Sequence, residues 1–170
     1  CIENQVPYLI YTSSLDAIFN GHSMENIDES IPYPVKPVNA YCESKQKAEI
    51  LVKKANSGTL LTCILRPADI YGEGDPYHIG SLINMAKKGF YVRLGNGKSI
   101  CQHVYVRNIA NAHIQIVKAF LKNNTAIPGQ VYFITDGLAH NFFKFYDQVV
   151  AGAGYKIWPK NLWLPFWLSY

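Results

Sequence analysis

Short apolar runs alternate with helical stretches along this chain, and that alternation constrains its fold more than any other feature. Val6–Tyr11 (VPYLIY) and Thr59–Leu65 (TLLTCIL) are nearly continuous runs rich in β-formers, the profile of strands covered on both faces. Between them, Ala40–Ala55 (AYCESKQKAEILVKKA) has strong helix formers, no Pro and no Gly. Its Ala48, Leu51, Val52 and Ala55 fall on one stripe at helical spacing. A strand, a crossover helix and a second strand form a right-handed βαβ unit, so the expected class is α/β with a parallel sheet and Val6–Tyr11 in its interior.

The rest of the chain continues the pattern. Asn20–Asn39 has prolines and acidic residues without periodicity, and reads as a long surface connection. Gly72, Gly74, Asp75 and Pro76 mark a loop, followed by a helix near Ile79–Lys88 that Gly89 stops. Tyr91–Leu94 and Ile100–Val106 read as strands, and Asn108–Leu121 as an amphipathic helix with Ile109, Ala112, Ile116, Val117 and Phe120 inward. Gln130–Thr135 (QVYFIT) is a last strand and Phe142–Ala151 a last helix. No repeat and no Gly/Ser-rich linker divides the chain.

Composition sets the limits. With 170 residues, 49% hydrophobic and 16% charged, the chain exceeds the lower limit for an independent core and is not of the disordered class. The net charge of +4 is spread out, with Lys53-Lys54 and Lys87-Lys88 as the only doublets, so no nucleic-acid partner is expected. Cys1, Cys42, Cys63 and Cys101 form no C-x-x-C and have no paired His spacing, so the expectation is reduced thiols in an intracellular protein, with no metal site. No apolar run approaches the ~20 residues of a spanning helix. The N-terminus is not a signal peptide and begins with Cys1, which reads as an internal piece of something longer.

Tyr41-Cys-Glu-Ser-Lys45 carries the most chemistry. Four residues are one helical turn, so the phenol and the ammonium share a face. A free Tyr titrates near ~10; a cation beside it stabilises the phenolate and makes it a usable acid/base group at neutral pH. Thr12-Ser13-Ser14 ends the first strand, where parallel α/β sheets gather ligands. A Ser there beside a Tyr/Lys helix is the arrangement that holds a carbinol or carbonyl oxygen through two hydrogen bonds. The plainer readings are a half-buried Tyr with a solvated Lys, and a serine capping the next turn.

The ordered set YTSS, YCESKQKAE, LRPADIYGEGD, HVYVRNIANAHI and VYFITDG resembles the extended short-chain dehydrogenase/reductases, most of all the 3β-hydroxysteroid dehydrogenase group, from Val6 to about Tyr155. The resemblance implies the C-terminal part of a Rossmann-type, doubly wound, mostly parallel sheet with a small substrate-binding α/β lobe. It implies one incomplete NAD(P)-binding domain over 1–170, with substrate-side segments at about 72–105 and 130–170. By position, Tyr41 would be the acid/base and Lys45 would lower its pKa and bind the nicotinamide ribose, while Ser14 would orient the substrate oxygen. Thr12 and Ser13 would pass close to NAD or NADP by their backbone, Pro67 and Ile70 would lie against the nicotinamide, and Tyr71 with the Gly72–Gly74 loop would edge the substrate pocket.

Two departures stand out. Val106-Arg107-Asn108 replaces the family's valine-aspartate-asparagine, putting a cation where an acid is usual, although Asn108 is still expected to cap its helix. The glycine-rich turn that holds the dinucleotide pyrophosphate is absent from this chain.

Ten aromatic residues between Phe142 and Tyr170, including Trp158, Trp163, Phe166 and Trp167, suit an apolar, sterol-like alcohol or ordinary packing, and allow a peripheral membrane contact. The rival activities are a sugar-nucleotide epimerase or dehydratase of the same fold, which the shortage of Arg disfavours, and a truncated, non-catalytic remnant. An unpaired apolar strand edge beside Val6–Tyr11 would favour homo-oligomers.

Overall fold

A computed structural model of the chain describes residues 1–89, 91–157, 163–165 and 167. The chain forms two compact units, residues 1–68 with 107–135 and residues 69–106 with 136–170.

The first unit contains strands β1 (Tyr8–Thr12), β2 (Leu61–Pro67) and β7 (Val131–Ile134) and helices α1 (Ala40–Ala55) and α3 (Val106–Leu121), the last beginning one residue before the unit's own boundary. The three strands form one parallel sheet in the order β1-β2-β7, with Tyr8 opposite Leu61 and Ile64 opposite Val131. This is the α/β arrangement with a parallel sheet that the apolar runs imply, and it agrees with the Rossmann-type class that the resemblance implies. Among the described strands β1 lies at the sheet edge rather than in the interior, because nothing pairs with its outer side. Cys63 and Leu65 of β2 are buried against Ile116 and Phe120 of α3, and the Tyr8 ring stacks on Phe120 at 5.0 Å. The opposite edge is blunted differently. Residues 20–39 form no helix or strand, but Glu29 reaches from that connection to accept the Phe133 amide at 2.8 Å, a carboxylate occupying the donor of an edge strand.

Both helix ranges agree closely with the periodicity, yet the inward stripes differ. Leu51, expected inside, is 66% exposed, because the buried centre of α1 is Glu49, two residues earlier. Val117 is likewise exposed at 44%, while Ile109, Ile116 and Phe120 of α3 are buried. Asn108 is not a cap: α3 starts at Val106, so Asn108 lies within the first turn.

The second unit contains β3 (Asp69–Tyr71), α2 (Ile79–Lys87), β4 (Arg93–Leu94), β5 (Ile100–Cys101), β6 (His103–Tyr105), β8 (His140–Asn141), α4 (Phe142–Gly152) and β9 (Trp163–Leu164). Its strands pair in twos: β3 with β6 and β4 with β9 in parallel, β5 with β8 antiparallel. The expected single strand Ile100–Val106 is broken at Gln102, since β5 and β6 serve different partners and Val106 already belongs to α3. Ala86, Tyr91 and Val150 form the core, with Leu82, Tyr155 and Ile157 against it. Arg93 and Tyr91 both bind the Asp147 carboxylate. Trp158, Phe166 and Tyr170 lie outside the described residues.

Candidate active site

Strands β1 and β2 run parallel, so Thr12 and Pro67 mark the same, C-terminal end of the sheet. Helix α1 is anchored at that end by its start. Asn39 is in extended conformation and its side chain accepts the Cys42 amide at 2.9 Å, satisfying an amide that the first turn leaves open. Tyr41 and Lys45 follow within the first two turns. Tyr41 is 52% exposed, so its phenol is accessible to a ligand.

Lys45 is held at both strand end and helix. Its Nζ donates to the Thr12 carbonyl at 3.1 Å and lies 5.7 Å from the Tyr41 ring centroid. The Thr12 carbonyl faces away from β2, since it is the Pro7 carbonyl and the Ser13 amide that bond to that strand. An ammonium on the outward face of the strand end thus shares one helical face with an accessible phenol, as the Tyr-x-x-x-Lys spacing implies. The same ammonium lies 5.4 Å from the ring of Tyr11, a contact that sequence spacing gave no reason to expect. Burial, followed by Glu49 and Tyr41, pushes the Tyr11 phenol above its ordinary value, so it stays protonated at neutral pH.

The Thr12 side chain is also engaged. His113 Nδ1 lies 2.8 Å from the Ile109 carbonyl, which can only accept, so Nδ1 carries the proton there. Nε2, 2.7 Å from Thr12 Oγ1, is then free to accept the hydroxyl proton. The Ser13 amide donates to Leu65 at 2.7 Å and its side chain is buried.

Ser14 stands where the sequence places it, as the cap of a 3-10 turn over Leu15–Ala17. Its Oγ accepts the Asp16 amide at 3.1 Å and donates to the Asp16 carboxylate at 3.0 Å. No hydrogen bond joins Ser14 to Tyr41 among the described residues; the structure brings together Thr12, Tyr41 and Lys45, with Ser14 committed to Asp16.

Beneath this surface lies a buried ion pair that the motif reading missed. Glu49, on the same helical face as Tyr41 and Lys45, receives Arg66 Nε at 2.9 Å and Nη2 at 2.7 Å, and the Tyr33 hydroxyl at 2.6 Å. Glu49 and Arg66 are 0% and 1% exposed. Burial raises the Glu49 carboxyl, but the bonds from Arg66 and Tyr33 and the Arg66 charge outweigh it and hold the group below its ordinary value. The available signal was the repeat Tyr41, Lys45, Glu49 at intervals of one turn, with an arginine closing β2.

Ile70 and Tyr71 lie on β3 in the second unit. The Tyr71 hydroxyl donates to Asp136 at 3.0 Å, and Asp136 also accepts the Tyr105 amide at 2.9 Å. Tyr71 packs edge-on against Phe145, which stacks on His103 at 3.9 Å. The glycine after Tyr71 is required: Gly72 has φ +148°, and a Cβ there would meet Val106 Cγ1 at 2.6 Å.

Residues 1–165 match the 3-beta hydroxysteroid dehydrogenase/isomerase family. Short-chain dehydrogenase/reductase family 42E member 1 of Xenopus laevis is 39% identical over 166 residues, covering 92% of this chain and 43% of the relative. The 3beta-hydroxysteroid-dehydrogenase/decarboxylase isoform 1 of Arabidopsis thaliana is 38% identical over 162 residues, covering 92% of this chain and 37% of that protein. The chain therefore spans less than half the length of these relatives. Among solved structures, a double mutant of dTDP-glucose 4,6-dehydratase from Streptomyces venezuelae, with NAD bound, superposes with a TM-score of 0.72 at 18% identity. It is covered over 49% of its length by 96% of this chain, and at that identity the likeness concerns the fold.

Proposed function

Because the chain belongs to the 3-beta hydroxysteroid dehydrogenase/isomerase family, we propose that it supplies the catalytic part of an NAD(P)-dependent oxidoreductase acting on a secondary alcohol. The substrate class we propose is a 3β-hydroxysteroid or a similar apolar alcohol, following the activity named for the Arabidopsis thaliana relative. The observation that carries this reading is the Lys45 ammonium, held by the Thr12 carbonyl on the same helical face as the accessible Tyr41 phenol.

The donor set fits the nicotinamide end of a dinucleotide. One of the three Lys45 N–H donors is used by Thr12, which leaves donors for a ribose hydroxyl. Pro67, which the resemblance places against the nicotinamide, closes β2 at the same end of the sheet and is itself buried. Bound NAD(P) would supply the hydride acceptor. Tyr41 would take the alcohol proton on its phenolic oxygen, and the Lys45 charge would stabilise the phenolate so formed. Ser14 would orient the substrate oxygen by turning its hydroxyl from the Asp16 carboxylate toward the alcohol while still accepting the Asp16 amide. Substrates anchored by phosphates are disfavoured: of the three arginines, Arg66 and Arg93 are committed to Glu49 and Asp147.

Calorimetric titration of NAD and NADH into this chain, and into a form extended to the length of the relatives, tests the reading. Binding by the extended form, weakened by Lys45→Met, is expected. Absence of binding by both would favour a non-catalytic remnant.

A further inference from the structure

We propose that Tyr11 is a positioning residue for Lys45, its ring giving the ammonium a second aromatic face beside that of Tyr41. The inference rests on the functional reading of Tyr41 and Lys45 but adds a residue outside the Ser/Tyr/Lys set. Lysine has a long, flexible stem whose ammonium could occupy many positions. Here its positions are narrowed by three contacts from two elements: the Tyr11 ring at 5.4 Å, the Tyr41 ring at 5.7 Å and the Thr12 carbonyl at 3.1 Å. Both ring distances fall within the range where a ring quadrupole attracts a cation. Two of the three contacts come from consecutive residues of β1, so the strand end sets where the charge stands relative to the helix.

Tyr11 is suited to this role rather than to proton transfer. Its phenol is held above the ordinary range by burial, by Glu49 and by Tyr41, so at neutral pH it offers an uncharged ring. Its backbone is fixed, because β1 pairs with β2 through the Tyr11–Ile64 register. The prediction is that the ring matters and the hydroxyl does not.

The test is the rate of reductive methylation of individual lysines in the 170-residue chain, followed by mass spectrometry. Lys47 lies on the same helix with its side chain 70% exposed, and reports reagent reactivity. Lys53, whose ammonium lies 5.3 Å from the Tyr33 ring, reports general loosening of the unit. Tyr11→Leu is expected to raise the Lys45 rate about three- to tenfold with Lys47 and Lys53 unchanged, and Tyr11→Phe is expected to restore the original rate. Tyr11→Met, close to Leu in chemistry but more adaptable, serves if Tyr11→Leu does not fold. An unchanged Lys45 rate in the ring-less variants, or equal acceleration of Lys45 and Lys53, would overturn the proposal, as would Tyr11→Phe behaving like Tyr11→Leu. The functional reading is separated by Tyr41→Phe in the extended form: normal turnover there would remove that reading while the methylation rates still decide the role of Tyr11.

Discussion

Glu49 and Arg66 form a bidentate ion pair, at 2.9 and 2.7 Å, sealed from solvent between the helix that carries Tyr41 and Lys45 and the strand that ends in Pro67. Tyr33 adds a third bond to the same carboxylate, and its ring lies 5.5 Å from the guanidinium. The pair ties the rotation of α1 to the end of β2. Removing one partner strands a buried charge, so Glu49→Ala is expected to cost about 3–5 kcal/mol, read as a fall in the urea midpoint. Replacing Glu49 and Arg66 together by Leu should recover most of that loss, because no uncompensated charge remains. A Glu49→Ala midpoint equal to that of the unaltered chain would contradict the pairing.

Stability should also depend on pH in two windows. His103, stacked on Phe145, is held below its ordinary value, burial being the main cause. The unfolded chain therefore takes up that proton first, and stability is expected to fall as pH drops below about 6.5. The Glu49 carboxyl is also held low. Its contribution is present above the unfolded carboxylate value of about 4.3 and is lost as pH falls through the lower folded value. Urea titrations at successive pH values should show both declines, with the lower one missing from the Glu49/Arg66 double Leu variant.

These elements show what could be read from residues alone and what could not. The parallel strands and α1 were legible because continuous apolar runs and an uninterrupted helix former segment are local signals. The inward face of α1 was not, because hydrophobicity points to Leu51 whereas the buried position is taken by a charged Glu49, whose cost is offset by Arg66 and Tyr33 from elsewhere in the chain. The same limit explains Asp69–Tyr71, a three-residue strand defined by its pairing to His103–Tyr105 rather than by its own pattern. Tyr41 and Lys45 were legible as a pair through helical spacing. Tyr11 became visible only when β1 was set against α1.

The sheet edges differ in a way that has consequences for association. At β7 the Phe133 amide is occupied by Glu29, whereas the outward backbone groups of β1 have no strand beyond them among the described residues. Such an edge templates pairing. We expect the isolated chain to form oligomers with rising concentration. Sedimentation showing a monomer at all concentrations would contradict this.

The central claim is that the Tyr41 phenol, served by Lys45, carries the proton in an alcohol oxidation. The most direct measurement is NADH formation by the extended form from a 3β-hydroxysteroid, with and without Tyr41→Phe, together with NAD affinity of both proteins. The account predicts that Tyr41→Phe lowers turnover by about 10²- to 10⁴-fold while NAD affinity changes little. Turnover equal to that of the unaltered enzyme would remove Tyr41 from the mechanism.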